Sequence, residues 1–110
     1  MQRLSLEALA RQQIELAAAA GGGHTADTVY GGHEKVLRQT VIGMTLGAQL
    51  AEHENPGEAT VQVLRGRVRL TAGDLAWEGR EGDLIIVPDS RHRVDALEDS
   101  AILLTVAKLL

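Results

Sequence analysis

Two histidines carry most of the chemistry this sequence offers. His53 follows Gly47 by six residues and stands just before the turn Asn55-Pro56-Gly57. His92 follows the apolar run Leu84–Val87 and the turn Pro88-Asp89-Ser90. An imidazole at a strand end can donate or accept a hydrogen bond in a pocket, or ligate a divalent transition metal. Asn55 and Glu58 lie near enough to His53 to complete a set of N and O donors. Two readings of these residues stay open. In one, His53, Asn55 and His92 line a ligand pocket; in the other, His53 and His92 hold a metal with help from Glu58 or Asn55.

The strand that carries Glu58 constrains the second reading. Ala59, Val61 and Val63 share one parity and are apolar, whereas Glu58, Thr60 and Gln62 share the other and are polar. On an extended strand one residue separates inward from outward. The pattern puts Ala59 inside and Glu58 outside unless a bulge re-aims it. Glu52 and Glu54 flank His53 at opposite parity and are expected to point outward. His24 and His33 sit beside glycine turns and read as exposed loop residues, the alternative for His33 being a ligand role from the preceding segment. Arg65, Arg67, Arg69, Arg91 and Arg93 read as a solvated face paired with Glu and Asp, the alternative being an anion-binding rim. There is no nucleophile motif, phosphate-cradling loop or zinc-ribbon spacing, and Gly21–Gly23 reads as a linker.

The elements that must position these residues are legible from periodicity. Residues 5–19 predict a helix, with Ser5 as N-cap, Glu7 in the first turn, and Leu6, Leu9, Gln13 and Leu16 on one face. Leu6, Leu9 and Leu16 are its expected apolar anchors. Residues 24–27 read as a polar link and Thr28–Tyr30 as a short strand. Val36–Leu46 predicts a strand covered on both sides, with Gly43 marking a bulge or a close backbone approach. Arg67–Thr71 and Leu75–Glu78 form a hairpin around Ala72-Gly73-Asp74. Leu84–Val87 reads as a strand buried on both faces, and His92–Leu97 and Ala101–Ala107 as the last two strands. One helix followed by short strands between Gly, Pro and Asp turns indicates an antiparallel barrel or jelly roll.

Composition narrows the function classes. The 110 residues suit one domain, and the absence of cysteine removes disulfide and thiol chemistry. The formal net charge is −4 with no basic block, so nucleic acid is not an expected partner. No apolar run approaches membrane-spanning length, so no membrane association and a cytoplasmic location are expected. Trp77 and Tyr30 are the only aromatic residues, which leaves a core of Val, Leu, Ile and Ala and few stacking platforms for a ligand.

Over roughly residues 36–107 the chain resembles the cupin superfamily, the RmlC-like jelly rolls. Gly47, His53 and Gly66 match that family's first motif, with Asn55 in place of its second histidine and Ala59 in place of its glutamate. Gly82, Pro88 and His92 match the second motif, with Ser90 where glycine is common and Ala96 in place of asparagine. The resemblance implies an all-β, double-stranded β-helix (a jelly-roll barrel) over about residues 28–108, behind an N-terminal helix within residues 1–20. It also implies a homodimer and a barrel in which three imidazoles and a carboxylate would hold Fe, Mn, Zn or Ni. With the metal motifs degenerate here, the expectation is a protein that binds a small, largely apolar ligand near His53 and His92. A metal-dependent enzyme of dioxygenase, isomerase or lyase type, and a regulatory or sensing protein acting through its helix, are the alternatives; whether the chain catalyses anything stays open.

Overall fold

The computed structural model describes residues 1–53 and 57–108, with the His53 side chain outside that description. Among the described residues one helix, α1 (Leu6–Ala19), precedes nine strands. These are β1 (His24–Tyr30), β2 (Leu37–Met44), β3 (Gln49–His53), β4 (Gly57–Arg65), β5 (Arg67–Ala72), β6 (Leu75–Arg80), β7 (Leu84–Ile86), β8 (His92–Ala96) and β9 (Ser100–Lys108). They form two antiparallel sheets, ordered β1-β2-β9-β4-β7 and β3-β8-β5-β6. Apart from the β1–β2 and β5–β6 pairs, strands consecutive in sequence lie in different sheets, as in a jelly roll, and the apolar core lies between the sheets. Ile42, Val61 and Ile102 enter it from the first sheet, Leu70, Val94 and Ala96 from the second. No helix among the described residues is long and apolar enough to cross a membrane.

The helix begins as its sequence dictates. Ser5 is extended, and its hydroxyl accepts a hydrogen bond from the Ala8 N–H at 3.2 Å. The buried face, however, is Ala10, Gln13 and Ala17, while Leu16 is 48 % exposed. Of the expected anchors Leu6 and Leu9 are half-buried and Leu16 alone fails, because there the helix lies too close to the sheet for a large residue. A Cβ at Gly43 of β2 would sit 2.2 Å from the Gln13 carbonyl oxygen, so backbone rests almost on backbone there. Gly43 is thus a close approach, one of its two expected roles. The buried Gln13 amide is satisfied locally, with Thr25 Oγ1 2.8 Å from its Oε1. Val41, Ala101 and Leu103 are buried on the outer face of the sheet, where α1 packs on β2 and β9.

Two further expectations change. Residues 24–27 are not a link: β1 runs from His24, in continuous register with β2 from His24↔Met44 to Thr28↔Thr40. The neighbour's free backbone groups decide this, not the polarity of the segment. The run Leu84–Val87 is not buried on both faces. Ile85 and Val87 face the core, whereas Leu84 and Ile86 are 59 % and 70 % exposed. β7 is the edge of its sheet, and α1 lies over β1, β2 and β9, leaving the β7 end open. The β5–β6 hairpin pairs as expected, from Arg67↔Arg80 to Ala72↔Leu75.

Candidate ligand site

His92 opens β8, whose alternation buries His92, Val94 and Ala96. It is 3 % exposed, and its Nδ1 lies 3.0 Å from the Ser90 carbonyl oxygen. A carbonyl only accepts, so this contact assigns the proton of a neutral ring to Nδ1 and the lone pair to Nε2. The turn before it is tight, with the Ser90 N–H donating to the Pro88 carbonyl at 2.9 Å. The ring is therefore aimed by backbone two residues away, a local device the sequence encodes.

β3 pairs with β8, and after a bulge between Leu50 and His53 the register sets His53 opposite His92. The two positions singled out in the sequence are thus neighbours across a strand pair. Asn55 lies outside the described residues, as does Glu54. Glu52 is exposed and accepts a hydrogen bond from Arg91 Nε at 3.0 Å, so it points outward as read.

Ala59 is 8 % exposed and belongs to the core, and Glu58 is exposed on the other face. The β4–β9 register runs unbroken from Gly57↔Lys108 to Val63↔Ile102, so no bulge re-aims Glu58. Glu58 instead borders a shallow outer depression with Thr60, Thr105 and Ala107. Among the described residues no three His, Asp or Glu side chains converge on a point. A cupin-type metal calls for several such donors, and Ala59, where the resemblance would have a carboxylate, brings only a methyl group to the core. The described residues do not fit that group.

The core that β8 enters through Val94 and Ala96 is aliphatic. The Val87 N–H donates to the Ala59 carbonyl at 3.1 Å, tying the segment that leads to His92 onto β4. Val87, Ala59 and Val106 are all buried in the core. Tyr30 and Trp77 are both exposed, so no aromatic face lines this end. His24 and His33 are exposed, as read, but His24 opens β1 and is not a loop residue. The strand arginines are largely ion-paired: Arg67 and Arg69 to Glu78, Arg67 also to Glu98, Arg91 to Glu52 and Arg93 to Asp95. For these four the solvated face paired with Glu and Asp holds; Arg65 is exposed with no ion pair among the described residues. Sequence reading passed over Arg38, which is half-buried on β2. Its parity with Ile42 was the available signal, masked by the mixed polarity of Leu37–Thr40.

No family model and no curated protein matches the chain. Solved structures do. A cupin superfamily protein from Desulfitobacterium hafniense superposes with a TM-score of 0.75 at 15 % identity, covering 99 % of this chain and 94 % of that one. The chain has a cupin fold. An RmlC-like cupin from Shewanella frigidimarina gives a TM-score of 0.69 at 19 % identity, over 81 % of this chain and 79 % of the other. A conserved protein of unknown function from Streptococcus pyogenes is 26 % identical, with a TM-score of 0.73 over 83 % of this chain and 79 % of its own.

Proposed function

We propose that this cupin-fold protein binds a small organic ligand at the end of the barrel marked by His92 and His53. The buried His92 ring carries the reading: its Nδ1 is held by the Ser90 carbonyl, on the face by which Val94 and Ala96 enter the core, with position 53 opposite it. A polar group fixed in an apolar recess orients a ligand whose body is desolvated by the walls. Because the described donors do not fit a cupin metal, no step is assigned to one.

Two measurements test this together. Untagged protein dialysed without chelator is expected to carry far less than one transition metal per chain, unchanged on adding iron, manganese, zinc or nickel. Denaturing the same preparation should release a small organic molecule that His92→Ala protein no longer retains. Near-stoichiometric metal, lost in His92→Ala, would establish the metal-dependent alternative instead.

We propose as well that two copies associate. Ala26 and Thr28 of β1 pair with Ile42 and Thr40, yet they are exposed, since β1 is the outermost of five strands facing a sheet of four. Light scattering is expected to give twice the chain mass, and Ala26→Glu to reduce it to one; a monomer at micromolar concentration would exclude the pairing. A partner role for α1 is less favoured, because its buried face is already occupied by β2 and β9.

A further inference from the structure

We infer that Arg38 selects the ligand of this site, receiving the head group of a short aliphatic carboxylate. This rests on the ligand site proposed above and names its chemical class.

The placement of Arg38 follows from register. β2 pairs with β9 without a break from Leu37↔Ala107 to Met44↔Ser100, so positions 38, 40, 42 and 44 share one face. Ile42 and Met44 on that face belong to the core between the sheets. Arg38 is opposite Val106, and Val106 is opposite Ala59. The row Arg38–Val106–Ala59 therefore crosses the sheet where Val87 joins Ala59 and the chain turns toward His92.

The charge there is unanswered. Arg67, Arg69, Arg91 and Arg93 each have a carboxylate oxygen within 3.0–3.8 Å. Arg38, half-buried and on the core face, has neither an ion pair nor a side-chain hydrogen bond among the described residues. A guanidinium removed from full solvation is ordinarily paired. Its planar fork of N–H donors matches a carboxylate with two parallel hydrogen bonds.

The surroundings set the rest of the ligand. Lys108 shares the core-face parity of Val106, but its ammonium donates to the Gly32 carbonyl. One guanidinium remains to neutralise one negative charge, which suits a monocarboxylate better than a phosphate dianion. Ala59, Val87 and Val106 offer aliphatic walls and no aromatic face, so the body of the ligand is aliphatic. In the tautomer that the Ser90 carbonyl sets, the His92 Nε2 would accept from a hydroxyl substituent.

The test is calorimetric titration of the full chain with propionate, butyrate, isovalerate and their 2-hydroxy analogues. The matching amides and inorganic phosphate serve as comparison probes. At least one carboxylate is expected to bind, with its amide weaker by about tenfold or more, and Arg38→Met to lose a similar factor. Arg38→Lys, which keeps the charge without the fork, should fall between and covers the case in which Arg38→Met fails to fold. Equal binding of acid and amide, unchanged in Arg38→Met yet abolished in His92→Ala, overturns the role of Arg38 while leaving the ligand site standing. Phosphate binding in preference to every acid overturns the carboxylate class. No binding by the wild type overturns the inference, and whether the site itself fails is then read from the molecule released on denaturation.

Discussion

Gly43→Ala is expected to lower folding stability by roughly 3 kcal/mol, the upper end of what overpacking a tight site costs. The new methyl would lie 2.2 Å from the Gln13 carbonyl oxygen, 2.3 Å from its carbon and 2.8 Å from the Ile14 nitrogen. These are helix backbone atoms, so no rotamer change relieves the clash. Either α1 moves off the sheet or β2 deforms. Moving α1 uncovers Val41, Ala101 and Leu103, all buried in the folded chain, and breaks the Thr25–Gln13 contact. Urea denaturation checks this, with Gly21→Ala as control, since a Cβ there meets nothing within 4 Å. A Gly43→Ala midpoint within error of wild type would mean the helix is not seated as closely as the structure has it. Loss of helix signal with the sheet retained would show that α1 detaches as a unit.

Gly66→Ala is expected to be as damaging, for a different combination of reasons. Gly66 has φ 78°, in the left-handed region where an L residue costs about 1–2 kcal/mol. A Cβ there would also lie 2.3 Å from the Asp99 carbonyl oxygen and 2.4 Å from Ser100 Oγ. Gly66 is where the chain leaves β4 in one sheet and enters β5 in the other. The crossing is fastened to β9 by Ser100, fully buried, whose hydroxyl accepts from the Arg67 N–H at 3.0 Å and reaches the Glu98 carbonyl at 2.8 Å. Strain and clash together should remove roughly 3–4 kcal/mol, a large share of the ~5–15 kcal/mol that holds a domain folded. Gly73→Ala separates the two causes: its φ is 58° but nothing lies within 4 Å of a Cβ, so it should show the strain alone. Equal midpoints for the Gly66→Ala and Gly73→Ala proteins would mean the crossing is not tightly packed.

The same glycines show how far the sequence could be read. Gly66 was recognisable as a motif position, but its two colliding neighbours, Asp99 and Ser100, lie where the chain enters β9, more than thirty residues later. Gly43 was recognisable as a bulge or a close approach, and only the fold chose between them.

What the sequence determined by itself was whatever depends on a residue and its near neighbours. Ser5 caps the helix because its hydroxyl reaches an N–H three residues on. Ala59 is inside and Glu58 outside because side chains alternate along a strand and no bulge interrupts this one. The two histidines were legible as a pair because each sits at a strand end beside its turn. The tertiary structure decided what lies across from each face. Leu16 is exposed and Ala17 buried because of how near α1 sits to Gly43. Leu84 and Ile86 face outward uncovered because β7 drew the edge of the sheet. His24–Asp27 is strand because β2 had an open edge to offer. Arg38 stands without a counter-ion because register turns it toward the core, away from the acidic side chains that pair Arg67, Arg69, Arg91 and Arg93. Alternation is a property of one strand; coverage, edges and counter-ions belong to pairs of strands distant in sequence, and only the folded chain brings those together.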